Sequence, residues 1–198
     1  MTMRSASLAL PVAAALMLGG CIRFGAEPPA ALLSLHPEAQ ATPGEVRSTV
    51  NAGTIAILVP SAPQEVAVSR VPVRSADTSI AYVRDAVWVE PPTRLFARML
   101  ADTIGARTGR VVLSRRESLT APGAMLSGEL RSFGIEAARV EAVVTYDASL
   151  IRTDNGPVEK RRFEARVPVA PVDAATVGPA LNRAANQVAG EVAEWVGR

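Results

Sequence analysis

This 198-residue chain has one cysteine, one histidine and one lysine, with two Trp, two Tyr and four Phe. Each scarcity removes a class of chemistry. A lone Cys21 allows no internal disulfide and no thiolate metal centre. His36 is the sole imidazole, in a loop close to the start of the mature chain. A histidine-based triad would need that loop to fold into a catalytic centre. The sequence holds no H-E-x-x-H, no C-x-x-C and no glycine loop of the kind that cradles phosphate. Ser127 lies in Ala124-Met125-Leu126-Ser127-Gly128, without the glycine two positions earlier that a nucleophile elbow requires. Glu136 and Glu141 flank an expected turn and read as solvated surface, not as a catalytic pair.

Excess charge is also missing. Basic and acidic side chains number 21 and 19, for a net +2, and no dense basic face suggests nucleic-acid binding. With few aromatics, the core must come mainly from Val, Leu, Ile and Ala.

What is present begins at the amino terminus. Arg4 is the only charge in residues 1–20, and Leu8 to Leu18 is an apolar run. That run is too short for a bilayer, which takes about 20 residues, and it suits a secretory leader. Leu18-Gly19-Gly20-Cys21 follows and reads as a lipobox. Cleavage before Cys21 and acylation of its thiol and new amino group would tether the chain to a membrane. Each buried methylene contributes about 0.8 kcal/mol, so several acyl chains hold where a single chain binds only marginally. That lipid is the only attached group expected; no metal or other cofactor is. Ile22 follows the cysteine; by resemblance to lipoproteins of this kind, the absence of aspartate there points to the outer membrane, facing the periplasm. The organisation expected is a signal peptide over 1–20, a lipidated tether over 21–31 with Gly25, Pro28 and Pro29, and one domain over 32–198.

Within that domain, Ala31 to Leu35 suggests a short strand. Thr54 to Val59 suggests a strand buried on both faces and ended by Pro60. Val66 to Val73 reads as extended, and Ile80 to Val83 as a strand leading to Trp88. Glu90-Pro91-Pro92-Thr93 opens a helix, Leu95, Phe96, Met99, Leu100, Thr103 and Ile104 give it an apolar face, and Gly109 stops it. Arg110 to Ser114 is a short strand. Leu126 to Ile135 and Val140 to Arg152 pair as long strands; Val143 alone breaks the alternation of the second. Asp154-Asn155-Gly156 is a hairpin turn that returns the chain along Glu159 to Val169. A final helix carries Val177, Leu181, Ala184, Val188, Val192 and Trp195 on one stripe, with Asp173 a possible N-cap. Lys160-Arg161-Arg162 reads as an ordinary charged face on its strand, and the element count as one α/β layer structure.

Ser69-Arg70-Val71-Pro72-Val73-Arg74, then Ile80-Ala81-Tyr82-Val83, then Trp88-Val89-Glu90-Pro91-Pro92 resemble the ABC-type transport auxiliary lipoproteins. The likeness extends to the hairpin with Phe163 and to Glu194-Trp195-Val196. It implies a three-layer α/β/α-type sandwich with a mixed sheet, similar to an anticodon-binding domain, with a long antiparallel hairpin and a C-terminal helix. It also implies a non-enzymatic envelope partner of a transporter for lipids or related hydrophobic molecules, phospholipid a candidate among them, built from an ATPase, a permease and a mammalian-cell-entry (MCE) domain protein. Cys21 is the position the resemblance carries over. Arg70, Arg74, Tyr82 and Trp88 are the candidate partner contacts, with core packing under the following helix an equal reading of Tyr82 and Trp88. A stand-alone lipid- or small-ligand-binding lipoprotein is the alternative.

Overall fold

The computed structural model describes residues 31–50, 52–76, 78–114, 116–117, 122–152 and 156–198. The leader, Cys21 and the Asp154-Asn155 turn lie outside the described residues. The elements run β1 (Thr54–Ile57), α1 (Gln64–Ala67), β2 (Arg70–Ala76), β3 (Ser79–Val87), α2 (Pro92–Thr108), β4 (Val111–Leu113), β5 (Met125–Glu136), β6 (Glu141–Ile151), β7 (Val158–Pro168) and α3 (Ala174–Val196).

The seven strands form one mixed sheet organised around β5. One edge of β5 takes β6 antiparallel from Met125↔Ile151 to Glu136↔Glu141, and β6 takes β7 from Glu141↔Pro168 to Ile151↔Val158. The other edge is shared end to end. β1 lies parallel to its first residues (Ala56↔Met125) and β2 parallel to its last (Val73↔Ile135). The sheet therefore forks, with β4 beside β1 and β3 beside β2. In the gap, Ser61 bonds the backbone of Gly128 and Leu130, and the single turn of α1 buries Val66 next to the bulge of β5 at Arg131.

Period-two alternation then decides the two faces. Leu130, Phe133, Val144, Tyr146, Phe163 and Ala165 point to the buried side, under both long helices. α2 starts where Pro92 fills a first-turn position and stops at Gly109, whose φ of 67° suits a residue without Cβ. α3 starts at Asp173, whose carboxylate accepts from the Ala175 and Thr176 N–H groups in a capping box. Pro179 is accommodated inside α3 and does not delay its start. The two helices run parallel: the Arg107 guanidinium lies against Gly190, and Thr108 against Gly197. Three ring contacts tie the layers together, Trp88–Phe133 at 5.5 Å, Phe96–Tyr146 at 5.3 Å and Phe163–Trp195 at 5.6 Å.

The expected α/β sandwich with its mixed sheet, long hairpin and C-terminal helix is the architecture observed. Its two long helices share one face, and α1 sits in the gap of the fork, touching both α2 and β5. Three local expectations change. β1 ends at Ile57 and leaves Leu58 and Val59 at 45% and 47% exposed, because Pro60 offers no N–H and the chain steps aside to reach Ser61. Ala31 to Leu35 contributes a single bridge, Leu33↔Trp88. Val66 belongs to a helical turn, and extended structure resumes at Arg70.

Candidate functional site

The chain enters the domain as a strap along α3. Leu33 bonds Val87 and Val89, Leu35 is buried, and the His36 N–H donates to Asn182 Oδ1 at 2.8 Å. Asn186 closes the strap. Its Oδ1 accepts from the Glu38 N–H at 2.8 Å, and its Nδ2 donates to the carbonyls of His36 and Asn182 at 2.9 Å each. Asn186 is thus a buried polar side chain with its groups satisfied. The sequence held a signal for it, two Asn four apart on the last helix, but their partner was an irregular segment with no pattern of its own.

On the outer face of the sheet, charge replaces the apolar rows. Arg162 makes a two-pronged pair with Asp147, at 2.6 and 2.7 Å, which holds the Asp147 carboxyl below the usual range. Arg166 donates to Glu136, to Glu164 at 2.8 Å and to Glu141 at 3.4 Å, and its own ionisation is pushed further up by the first two. Glu136 and Glu141 are therefore bound by one arginine and do not form an acid–base pair. Of the Lys160-Arg161-Arg162 run, Arg162 is held by Asp147 on this face, while Arg161 turns to the helix-bearing side, 4.8 Å from the Phe163 ring centroid. Pro72, Gly134 and Val143 line a shallow depression of about 180 Å³ bordered by Arg74, Arg131 and Arg166. That bordering explains Val143, the break in the alternation, at 7% exposure.

β2 and β3 form an antiparallel ribbon at one margin of this face. The Arg70 guanidinium sits 4.5 Å above the Tyr82 ring. Such a stack contributes about 0.5–1 kcal/mol at an exposed site. Arg74, four residues on, pairs with Glu65 of α1 at 3.0 Å. Arg70, Arg74 and Tyr82 therefore share one ribbon surface. Trp88 does not belong to it. At 1% exposure it packs edge-on against Phe133 in the core, so it cannot meet a partner's surface. The reason is local: β3 bulges at Asp85 (φ 60°) and delivers the residue after Val87 under the sheet. Glu65 carries no signal of its own in the sequence, because the helical turn that presents it to Arg74 spans only four residues.

Among the described residues no group of three His, Cys, Asp or Glu side chains converges for a metal. Tyr146, whose phenol burial pushes strongly up, donates to the Ser127 carbonyl at 2.9 Å and is a core residue. No described helix is long and apolar enough to cross a membrane.

Residues 33–193 match the family model described as ABC-type transport auxiliary lipoprotein component. The chain belongs to that family. No curated protein matches. Among solved structures, the chain is similar to protein XCC0632 from Xanthomonas campestris, a DUF330 family protein, at 19% identity and TM-score 0.67, over 83% of this chain and 94% of that one. A second, titled only as an uncharacterized protein, aligns at 14% identity and TM-score 0.66, over 84% and 99%. At such identities the likeness speaks for the fold. The match places an envelope lipoprotein associated with ABC-type transport on this architecture, in keeping with the lipobox that precedes it.

Proposed function

We propose that this auxiliary lipoprotein is a non-enzymatic, lipid-anchored subunit of an ABC/MCE-type intermembrane lipid transport system. It docks the periplasmic conduit at the outer membrane, held there through Cys21. The observation that carries the reading is the family match over 33–193 standing immediately behind the Leu18-Gly19-Gly20-Cys21 lipobox. The geometry supports it in two ways. Arg131, Arg162 and Arg166 of the outer face are engaged with Asp147, Glu136, Glu141 and Glu164, and the β2–β3 ribbon offers Arg70, Tyr82 and Arg74 as a surface. The alternative, a stand-alone lipid binder, would need room inside the sandwich, where Trp88, Phe96, Phe133 and Tyr146 fill the space between the layers.

The test is recovery of the tagged mature lipoprotein from detergent-solubilised envelopes, with its companions identified by mass spectrometry. An MCE-domain protein or its permease is expected with the wild type, and less of either with Arg70→Glu. Cys21→Ser should shift the domain from the membrane to the soluble fraction with its fold intact. Recovery of no transporter component, together with phospholipid extractable from the soluble Cys21→Ser domain, would replace this reading with the alternative.

A further inference from the structure

A sheet leaves unpaired backbone wherever it ends, and this sheet ends at β4, β7 and β3 among the described residues. Free edges invite other strands, so proteins usually guard them with shortness, charge or proline. β4 is guarded by shortness, with three residues. β7 is guarded by content, since Glu159, Lys160, Arg161, Arg162, Glu164 and Arg166 precede Pro168 along it. β3 differs. Ser79-Ile80-Ala81-Tyr82-Val83 has no charge and no proline, and Ile80, Tyr82 and Val83 are β-prone. Ile80 is 40% exposed.

Which backbone groups face outward follows from the pairing. Residues on one strand alternate between its two edges. The Arg74 carbonyl accepts from the Ala137 N–H, so Arg74 faces the β5 side and Val73 faces β3. Val73 is opposite Ala81, which makes that pair the hydrogen-bonded one. Pro72, with no N–H to give, is opposite Tyr82 and agrees. So does Ser79, whose carbonyl accepts from the Ser75 hydroxyl on the β2 side. The N–H and C=O groups of Ile80 and Tyr82 therefore point off the sheet. Leu33 already pairs with the far end of this edge, through Val87 and Val89. The chain's own segment ahead of Leu33 includes Pro28 and Pro29, which have no N–H for such an edge.

We infer that the edge of β3 at Ile80 and Tyr82 accepts one extended segment of the transporter's MCE-domain protein, adding a strand to the sheet. This rests on the docking reading above. The segment carries an apolar side chain beside Ile80 and a carboxylate toward Arg70. Arg70 lies over Tyr82 and has no carboxylate partner among the described residues, whereas Arg74 is already taken by Glu65.

The outward N–H of Ile80 makes the idea testable without breaking the ladder to β2. Ile80→Pro removes that donor, and proline is tolerated at an edge position whose N–H faces solvent. Ile80→Ala keeps the donor and trims the side chain. Tagged full-length wild type, Ile80→Pro and Ile80→Ala are purified from solubilised envelopes, and co-purified MCE-domain protein is quantified. The inference expects at least a tenfold loss with Ile80→Pro, at most about threefold with Ile80→Ala, and melting temperatures within a few degrees of wild type. A photo-crosslinker at Ser79 should capture the MCE-domain protein, and one at Lys160 on the guarded β7 edge should not. Because that measurement keeps Ile80, it decides the matter if Ile80→Pro fails to fold. Undiminished co-purification with a folded Ile80→Pro overturns the strand addition and leaves the docking function standing. So does a Ser79 crosslink only to a second copy of this chain. A wild type that brings down no transporter component overturns the docking function itself.

Discussion

Asn186 is the side chain whose removal should most cleanly separate the strap from the domain. Its amide serves the Glu38 N–H at 2.8 Å and the His36 carbonyl at 2.9 Å, two of the three side-chain bonds that α3 makes to this irregular segment. A net hydrogen bond is worth about 1 kcal/mol, and a donor left unpaired out of water costs about 1–3 kcal/mol. The strap lies at the surface, so water can partly replace what Asn186→Ala deletes. The expected cost is therefore about 1.5–3 kcal/mol for opening residues 36–38, without equal loss of global stability. Hydrogen exchange reads it directly. Each 1.4 kcal/mol is tenfold, so protection of the Glu38 amide should fall by about 10- to 100-fold. The His36 amide, bonded to Asn182 at 2.8 Å, should follow more weakly. The core amides of β6 should stay as in the wild type. Unchanged exchange at Glu38 would refute the claim that the side chain holds the strap, and a uniform rise across β6 would show that Asn186 instead supports the whole fold.

Three further outcomes follow from particular contacts. Gly128→Ala should destabilise by at least about 2 kcal/mol in urea unfolding, because a Cβ there meets the Asp147 carbonyl and comes within 2.7 Å of the Tyr146 ring; a shift under 0.5 kcal/mol contradicts the packing. Arg166→Leu should flatten the acid dependence of melting temperature. Arg166 depresses the Glu164 carboxyl, so the stabilisation it gives is full above the unfolded value of about 4.3 and disappears as pH falls through the lower folded value; a gap between wild type and variant that stays constant from pH 7 to 3 sinks the assignment. Trp88→Ala should cost about 3–5 kcal/mol as a core truncation, so any partner it loses is lost with the fold. Trp88→Phe should cost much less, since the Trp88 Nε1 has no hydrogen-bond partner to forfeit; comparable losses for both would place the indole nitrogen in a role the packing does not show.

What the sequence made legible were the elements with a strong local rule. Pro91-Pro92 and Gly109 bound α2 within a residue, and Asp173 caps α3, because those residue types fix backbone geometry by themselves. The β5–β6–β7 meander was equally plain, since one face is apolar at every second residue from Ala142 to Leu150 in β6 and from Phe163 to Val167 in β7. The fork was invisible. Nothing in Thr54–Ile57 or Arg70–Ala76 says that both pair with one strand far down the chain, and such non-local choices are made by packing. Trp88 stayed open between anchor and core for a related reason. A Trp next to charged and turn-prone residues looks like an anchor, and only the bulge at Asp85 turns it inward. For the docking surface the sequence supplied Arg70, Arg74 and Tyr82. It could not supply the Arg70–Tyr82 stack, because Pro72 stands opposite Tyr82 only once the ribbon's register is set.

The strap and the parallel helices together orient the molecule. Leu33 reaches Gly178 near the start of α3, His36 reaches Asn182 and Glu38 reaches Asn186, so the chain runs toward the C-terminal ends of both helices. Arg47 then caps the Gly105 carbonyl at that far pole, beside Arg107 and Glu194. The tether consequently leaves from the opposite pole, at the start of α3, and the 23 residues of α3 separate the two by about 34 Å. A segment of residues 22–31 reaches at most about 35 Å from Cys21. A tether of that reach spans about the length of α3, so it limits how far the domain stands from the lipid and does not by itself fix which pole faces it. The free edge of β3 begins only a few residues from where Leu33 stops pairing. On the reading proposed above, the docked segment and the tether would share the β3 margin of the domain, and the partner would approach from that side.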